Sequence, residues 1–160
     1  MQSLSVLPEI QENPFAKPLE WRKYFSEGDQ FLHLAEKGIH NPQKFSPETL
    51  YNVVAMGIEK HLMALFLYKN NLPEGHTLTS LLSYGEKYLT IDGDIFRTLA
   101  YMDSLQEICS LDDIHRKTPT AAELAMMIKV AVRIQRTRLD CASVARHNLN
   151  RWLDEPGGRI

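Results

Sequence analysis

The stretch from Leu50 to Leu82, LYNVVAMGIEKHLMALFLYKNNLPEGHTLTSLL, constrains the fold more than any other part of the chain. Leu50, Val54, Ile58, Leu62, Leu65 and Phe66 recur at helical spacing and form one stripe, and Val53, Met56, Met63 and Leu67 extend it around the cylinder. A helix apolar on most sides must be covered on most sides, so it belongs at the centre of a bundle. Gly57 costs about 1 kcal/mol against alanine inside a helix. Its position predicts close approach of a neighbouring helix. Ser46-Pro47-Glu48 marks the start, with Ser as N-cap, Pro at the first position and Glu at the positive end of the dipole. Asn70-Asn71-Leu72-Pro73-Glu74-Gly75 ends the helix and turns the chain.

The remaining segments read as partners for this helix. An arm over residues 1–16 holds Pro8 and Pro14 and lacks periodicity. A helix from Pro18 to about Lys37 shows the apolar positions Leu19, Trp21, Tyr24, Phe25, Phe31, Leu32 and Leu34, and Gly38 stops it. A short helix spans Leu78 to Tyr88. Asp92-Gly93-Asp94 opens another, with Ile95, Leu99, Met102, Leu105 and Cys109 in register. Thr120-Ala-Ala-Glu123 is a capping box that opens the last helix, predicted to reach Trp152. Leu124, Met127, Ile128, Ala131, Ile134, Cys141, Ala145, Leu149 and Trp152 form its core stripe. No segment alternates with period two over a strand's length. The expectation is all-α: a bundle of about five helices, one domain over 17–155, with antiparallel neighbours where connections are short.

With 44% hydrophobic and 24% charged residues, the composition is that of a globular chain. No run of about 18 apolar residues occurs, so no membrane span is expected. The first residues lack a basic region and carry Glu9 and Glu12, unlike a secretory leader. Cys109 and Cys141 have neither metal nor redox spacing, which fits free thiols in the cytoplasm. Charge is uneven. Residues 1–116 hold 10 Lys and Arg against 16 Asp and Glu, whereas residues 117–160 hold 8 against 4. An acidic front and a basic tail suggest self-association or an anionic partner.

The pattern resembles the HEPN domain family of small helical bundles. The matching residues are Glu59-Lys60 in the apolar helix, then Leu62-x-x-Leu65, the Asn/Pro/Gly turn, and His76-x-Leu78-x-x-Leu81-Leu82. The resemblance implies a HEPN-like fold, a homodimer, and pairing with a nucleotidyltransferase-like protein in two-component toxin systems. It also implies metal-independent ribonuclease activity from an Arg-x(4-6)-His motif on a late helix. This chain departs there, because no arginine has a histidine at that spacing. His115-Arg116 is adjacent and reversed. The expected module is cofactor-free and binds RNA or a protein without cleaving. A divergent ribonuclease using His115, Arg116 or the Arg146-His147 pair, and a structural subunit for a protein partner, are the alternatives.

Four groups of residues are candidates for chemistry. Lys129, Arg133, Arg136, His147 and Arg151 fall on one side of the last helix, opposite its apolar stripe. Such a row tracks phosphates with little base information, or is a solvated face. Arg138 falls inside the apolar stripe and so needs an acidic partner. Asp29, His33, Glu36 and His40 share a side of the first helix, in the manner of carboxylate–histidine metal helices, or of a polar outer face. No metal is expected. His76 sits at the mouth of the third helix, where its ring would bond backbone groups or act with Glu59 and Lys60. Asp112-Asp113-Ile-His115-Arg116 forms a charged connection.

Overall fold

The computed structural model describes residues 17–75, 77–105 and 117–136. Within them the chain forms α1 (Lys17–Gly38), α2 (Pro47–Tyr68), α3 (Leu78–Gly85), α4 (Gly93–Ser104) and α5 (121–136). There is no strand among the described residues. The arm, His76, residues 106–116 and everything after Arg136 lie outside them, and with them Cys109, His115, Arg116, Arg138, Cys141, His147 and Arg151.

The centre of the bundle is α2. Leu50, Val54, Ile58, Leu62, Leu65 and Phe66 are all buried, as the stripe predicts, and Tyr51, Ala55, His61 and Ala64 are buried with them. By length and composition α2 is long and apolar enough to cross a membrane, although polar residues interrupt its apolar run. Most of that apolar window is buried inside the bundle, as in the core helix of a globular protein. Met56 departs from the expectation: it faces solvent, 43% exposed.

Two antiparallel helices, α1 and α2, meet along small residues. A Cβ at Gly57 would sit 2.8 Å from Leu32 Cδ2, one at Gly28 2.9 Å from His61 Cε1, and one at Gly38 2.5 Å from Leu50 Cδ2. The close approach predicted at Gly57 is present. Gly38 has a different role from the one expected. No glycine among the described residues has positive φ, and Gly38 is still helical. It makes room for Leu50. The chain leaves α1 through Asn41, whose N–H donates to Gly38 O (2.8 Å) and whose side chain donates to Lys37 O (3.0 Å). The buried face of α1 is Gly28, Leu32, Ala35 and Gly38. Leu34, expected in the stripe, is exposed.

Caps hold the ends. At the C-terminus of α2, Asn70 takes φ 52°, the Asn70 N–H donates to Leu67 O (3.1 Å), and the Asn71 N–H donates to Phe66 O (2.9 Å). This is a Schellman motif with asparagine at the left-handed position. Eight residues are too few for α3 to persist alone. Its first turn is held by Thr77, which accepts from Ser80 N–H, and by Asp103 of α4, which accepts from the Leu78 and Thr79 N–H groups (3.0 and 2.8 Å). The capping box of α5 is formed: Glu123 accepts from Thr120 N–H (2.7 Å), and Thr120 Oγ1 accepts from Glu123 N–H (3.2 Å). Leu124, Met127, Ile128, Ala131 and Ile134 are buried as expected, and Val130 joins them.

Candidate functional site

Two of the cations predicted on α5, Lys129 and Arg133, line a groove shared with α4. Its walls are Asp94, Arg97, Thr98 and Tyr101 from α4 and Met126, Lys129, Val130 and Arg133 from α5, around a volume of about 450 Å³. The α4 residues recur at 3, 1 and 3, which is one helical face. The adjoining face carries Ile95, Leu99 and Met102 into the core. On α5, the spacing of Lys129 and Arg133 sets both beside the groove, while Ile128, Ala131 and Ile134 face inward.

The charges are not alike. Arg133 donates to Asp92, the N-cap of α4, and Arg97 donates to Asp94. Lys129 and Arg136 are exposed, with no carboxylate in ion-pair range among the described residues. Arg133 is therefore not simply a solvated member of the row. It ties α5 to the start of α4. Tyr101 closes one end of the groove, donating to Glu123 Oε1 (2.7 Å), with Lys117 Nζ over its ring at 5.0 Å. The groove is thus lined by cations together with Met126, Val130 and the Tyr101 ring. An anion with an apolar portion fits that chemistry, provided it competes with Asp92 and Asp94.

Asp92 makes the acid behaviour of this corner predictable. Its Oδ1 accepts from Asp94 N–H (3.1 Å) and Ile95 N–H (3.0 Å). The Ile95 N–H first, and then Arg133, hold its carboxyl below the ordinary 3.8. A carboxyl lowered in the folded state stabilises fully above its unfolded value, and that gain is lost as pH falls through the folded value. Asp92→Asn keeps an oxygen for the cap and loses the charge. The variant is expected to lose less stability than the parent when urea unfolding is compared at about pH 5 and about pH 3. Equal losses would remove Asp92 from the acid response.

The second candidate group comes apart. His33, Glu36 and His40 are exposed, but Asp29 turns toward the bundle. It accepts from Gln135 of α5 (2.6 Å) and stands 3.5 Å from His61 Nε2. Among the described residues no three of His, Cys, Asp and Glu gather as a metal site would require. Glu59 is exposed, whereas Lys60 bonds Glu27 (2.6 Å) and lies over the Tyr24 ring. That pairing, chiefly the hydrogen bond, holds Glu27 below its ordinary 4.5. His76, His115, Arg116, His147 and Arg151 lie outside the described residues.

Sequence reasoning missed Arg97 and Tyr101. Their shared face on α4 was readable, but which face of α5 it meets was not.

No family model matches this chain, and no curated protein matches it. Its fold, however, is found among solved structures. One is a HEPN domain protein from Thermotoga maritima, with TM-score 0.58 and 14% identity, covering 76% of this chain and 98% of that one. Another is an archaeal HEPN homologue, with TM-score 0.55 and 15% identity, covering 72% and 92%. The fold is a HEPN-like all-α bundle.

Proposed function

We propose that this HEPN-like bundle is a binding module whose α4–α5 groove takes the phosphates of RNA, without cleaving it. The observation that carries the reading is the convergence of Arg97, Lys129 and Arg133 on one groove, with Arg136 next along α5. Lys and Arg neutralise phosphates with little regard to base, so binding should be weak, sequence-tolerant and strongly salt-dependent. The missing Arg-x(4-6)-His pair supports binding over cleavage. The resemblance over Leu50–Leu82 supports a cytoplasmic homodimer and a setting beside a nucleotidyltransferase-like partner in a toxin-type system.

Lys129 and Arg136 are the clean test, because Arg133→Ala would also release Asp92. With labelled single-stranded RNA, Lys129→Ala/Arg136→Ala is expected to reduce the log–log salt slope by about 1.4, roughly 0.7 per lost phosphate contact. The RNA should remain intact across the dose series. Affinity at low salt no greater than that of a neutral control protein would leave the protein-binding alternative. Degradation of the label would leave the ribonuclease.

Self-association is a separate expectation, motivated by the opposed charge of the two parts of the chain. Sedimentation over a concentration series should show a monomer–dimer equilibrium. A monomer at high micromolar concentration, at low and moderate salt alike, would sink it.

A further inference from the structure

We infer that a second surface, a row of rings and cations running from α1 across the C-terminal ends of α2 and α3 and the turns that follow them, binds single-stranded nucleic acid by stacking on its bases. This ladder is continuous. Arg22 Cζ lies 5.5 Å from the Trp21 ring centre, and Trp21 meets Tyr68 edge-on at 5.5 Å. Lys69 Nζ bridges the next gap, 5.4 Å from the Tyr68 ring and 5.7 Å from that of Tyr88. Asn71 then joins two tyrosines: its Nδ2 donates to Tyr88 Oη (2.7 Å), and its Oδ1 accepts from Tyr84 Oη. Lys87 Nζ ends the row, 5.0 Å from the Tyr84 ring.

Three features fit this partner. The rings are half-buried and held in place, Tyr84 also by edge contact with Phe66 at 5.2 Å, so little order is lost on binding. The cations are exposed, and among the described residues no carboxylate pairs with Arg22, Lys69 or Lys87. Arg97 and Arg133, by contrast, are already paired. Rings beside unpaired cations are the elements of sequence-tolerant single-strand binding: cations follow phosphates and rings receive bases. Stacking of a base on a ring is the stronger contact, so it displaces an exposed lysine from the ring face. Duplex bases are stacked on each other and cannot enter. An anionic membrane would also meet Lys and Tyr, but this row lacks the wide aliphatic face that inserts among lipids. The surface shares no residue with the α4–α5 groove and does not depend on it.

The chain has two tryptophans, Trp21 and Trp152, so Trp152→Phe leaves Trp21 as the reporter. In that background, a single-stranded oligothymidylate should quench Trp21 emission and bind at least about tenfold tighter than a duplex of equal length, given the size of base stacking. Arg22→Ala/Lys69→Ala/Lys87→Ala should lower the log–log salt slope by about 2, roughly 0.7 for each contact. Tyr68→Phe should bind like the parent, and Tyr68→Ala at least about fivefold weaker. Circular dichroism checks folding; if Tyr68→Ala unfolds, the triple variant decides. The quench of Trp21 reads the ladder and the salt slope of Lys129→Ala/Arg136→Ala reads the groove, so failure of the groove and failure of the ladder give different results. Equal binding of single strand and duplex, an unquenched Trp21, an unchanged slope in the triple variant, or equally tight binding to phosphatidylserine vesicles would overturn the proposal.

Discussion

Truncation on the buried face of α2 is expected to cost more than any other single change: about 2–5 kcal/mol for Leu62→Ala and about 3–5 for Phe66→Ala. Leu62 is 1% exposed and Phe66 0%. Phe66 also supports the Tyr84 ring at 5.2 Å, and its carbonyl accepts the bond that closes the Schellman motif. Losing the ring therefore opens a cavity between α2 and α3, where the surrounding helices relax only in part. Against a total stability of about 5–15 kcal/mol, this is a large fraction. Urea unfolding monitored by circular dichroism gives the change as a shift in midpoint at constant slope. A loss under about 0.5 kcal/mol at Leu62 would mean that α2 is peripheral and the architecture wrong.

The position of α2 was legible because its information is local. A stripe of Leu, Val and Ile at helical spacing says which face is covered, and its width says that several neighbours cover it. The helix starts were legible for the same reason, since Ser46, Asp92 and Thr120 act on donors two or three residues away. The face of α1 was misread where contact depends on smallness. Counting large apolar side chains selected Leu34, which is exposed, and passed over Gly28 and Ala35, which are buried. A glycine in contact announces itself only when the group that would strike its Cβ is known.

The groove and the ladder show the same limit for function. Lys129, Arg133 and Arg136 were found from spacing along one helix. The Asp92–Arg133 pair joins residues 41 apart, and only the packing of α4 on α5 makes it. Until that pairing is known, Arg133 looks like its neighbours. The ladder draws on α1, the end of α2 and the end of α3. Its residues have no common period, because three helices and the turns after two of them supply one row.

The second large effect is expected at the contact of Gly28 with His61. A Cβ there would lie 2.9 Å from His61 Cε1 and 3.0 Å from each ring nitrogen. The struck group decides the outcome. Opposite Gly57 the nearest atom is the far end of a leucine, which can swing. Opposite Gly28 it is a rigid ring, 1% exposed, with Phe25 edge-on at 5.6 Å and the Asp29 carboxylate 3.5 Å from Nε2. Gly28→Val should therefore destabilise by about 1–3 kcal/mol through overpacking, despite valine's better helix propensity than glycine's. His61→Ala should destabilise by about 2–4 kcal/mol, the scale of emptying a buried ring site. Together they should cost less than their sum by about 1–3 kcal/mol, because the valine enters the space the ring leaves. A double-mutant cycle by urea unfolding measures this coupling. Additivity within about 0.5 kcal/mol would show that the two sites do not share one space, and the close approach of α1 to α2 at Gly28 would have to be abandoned.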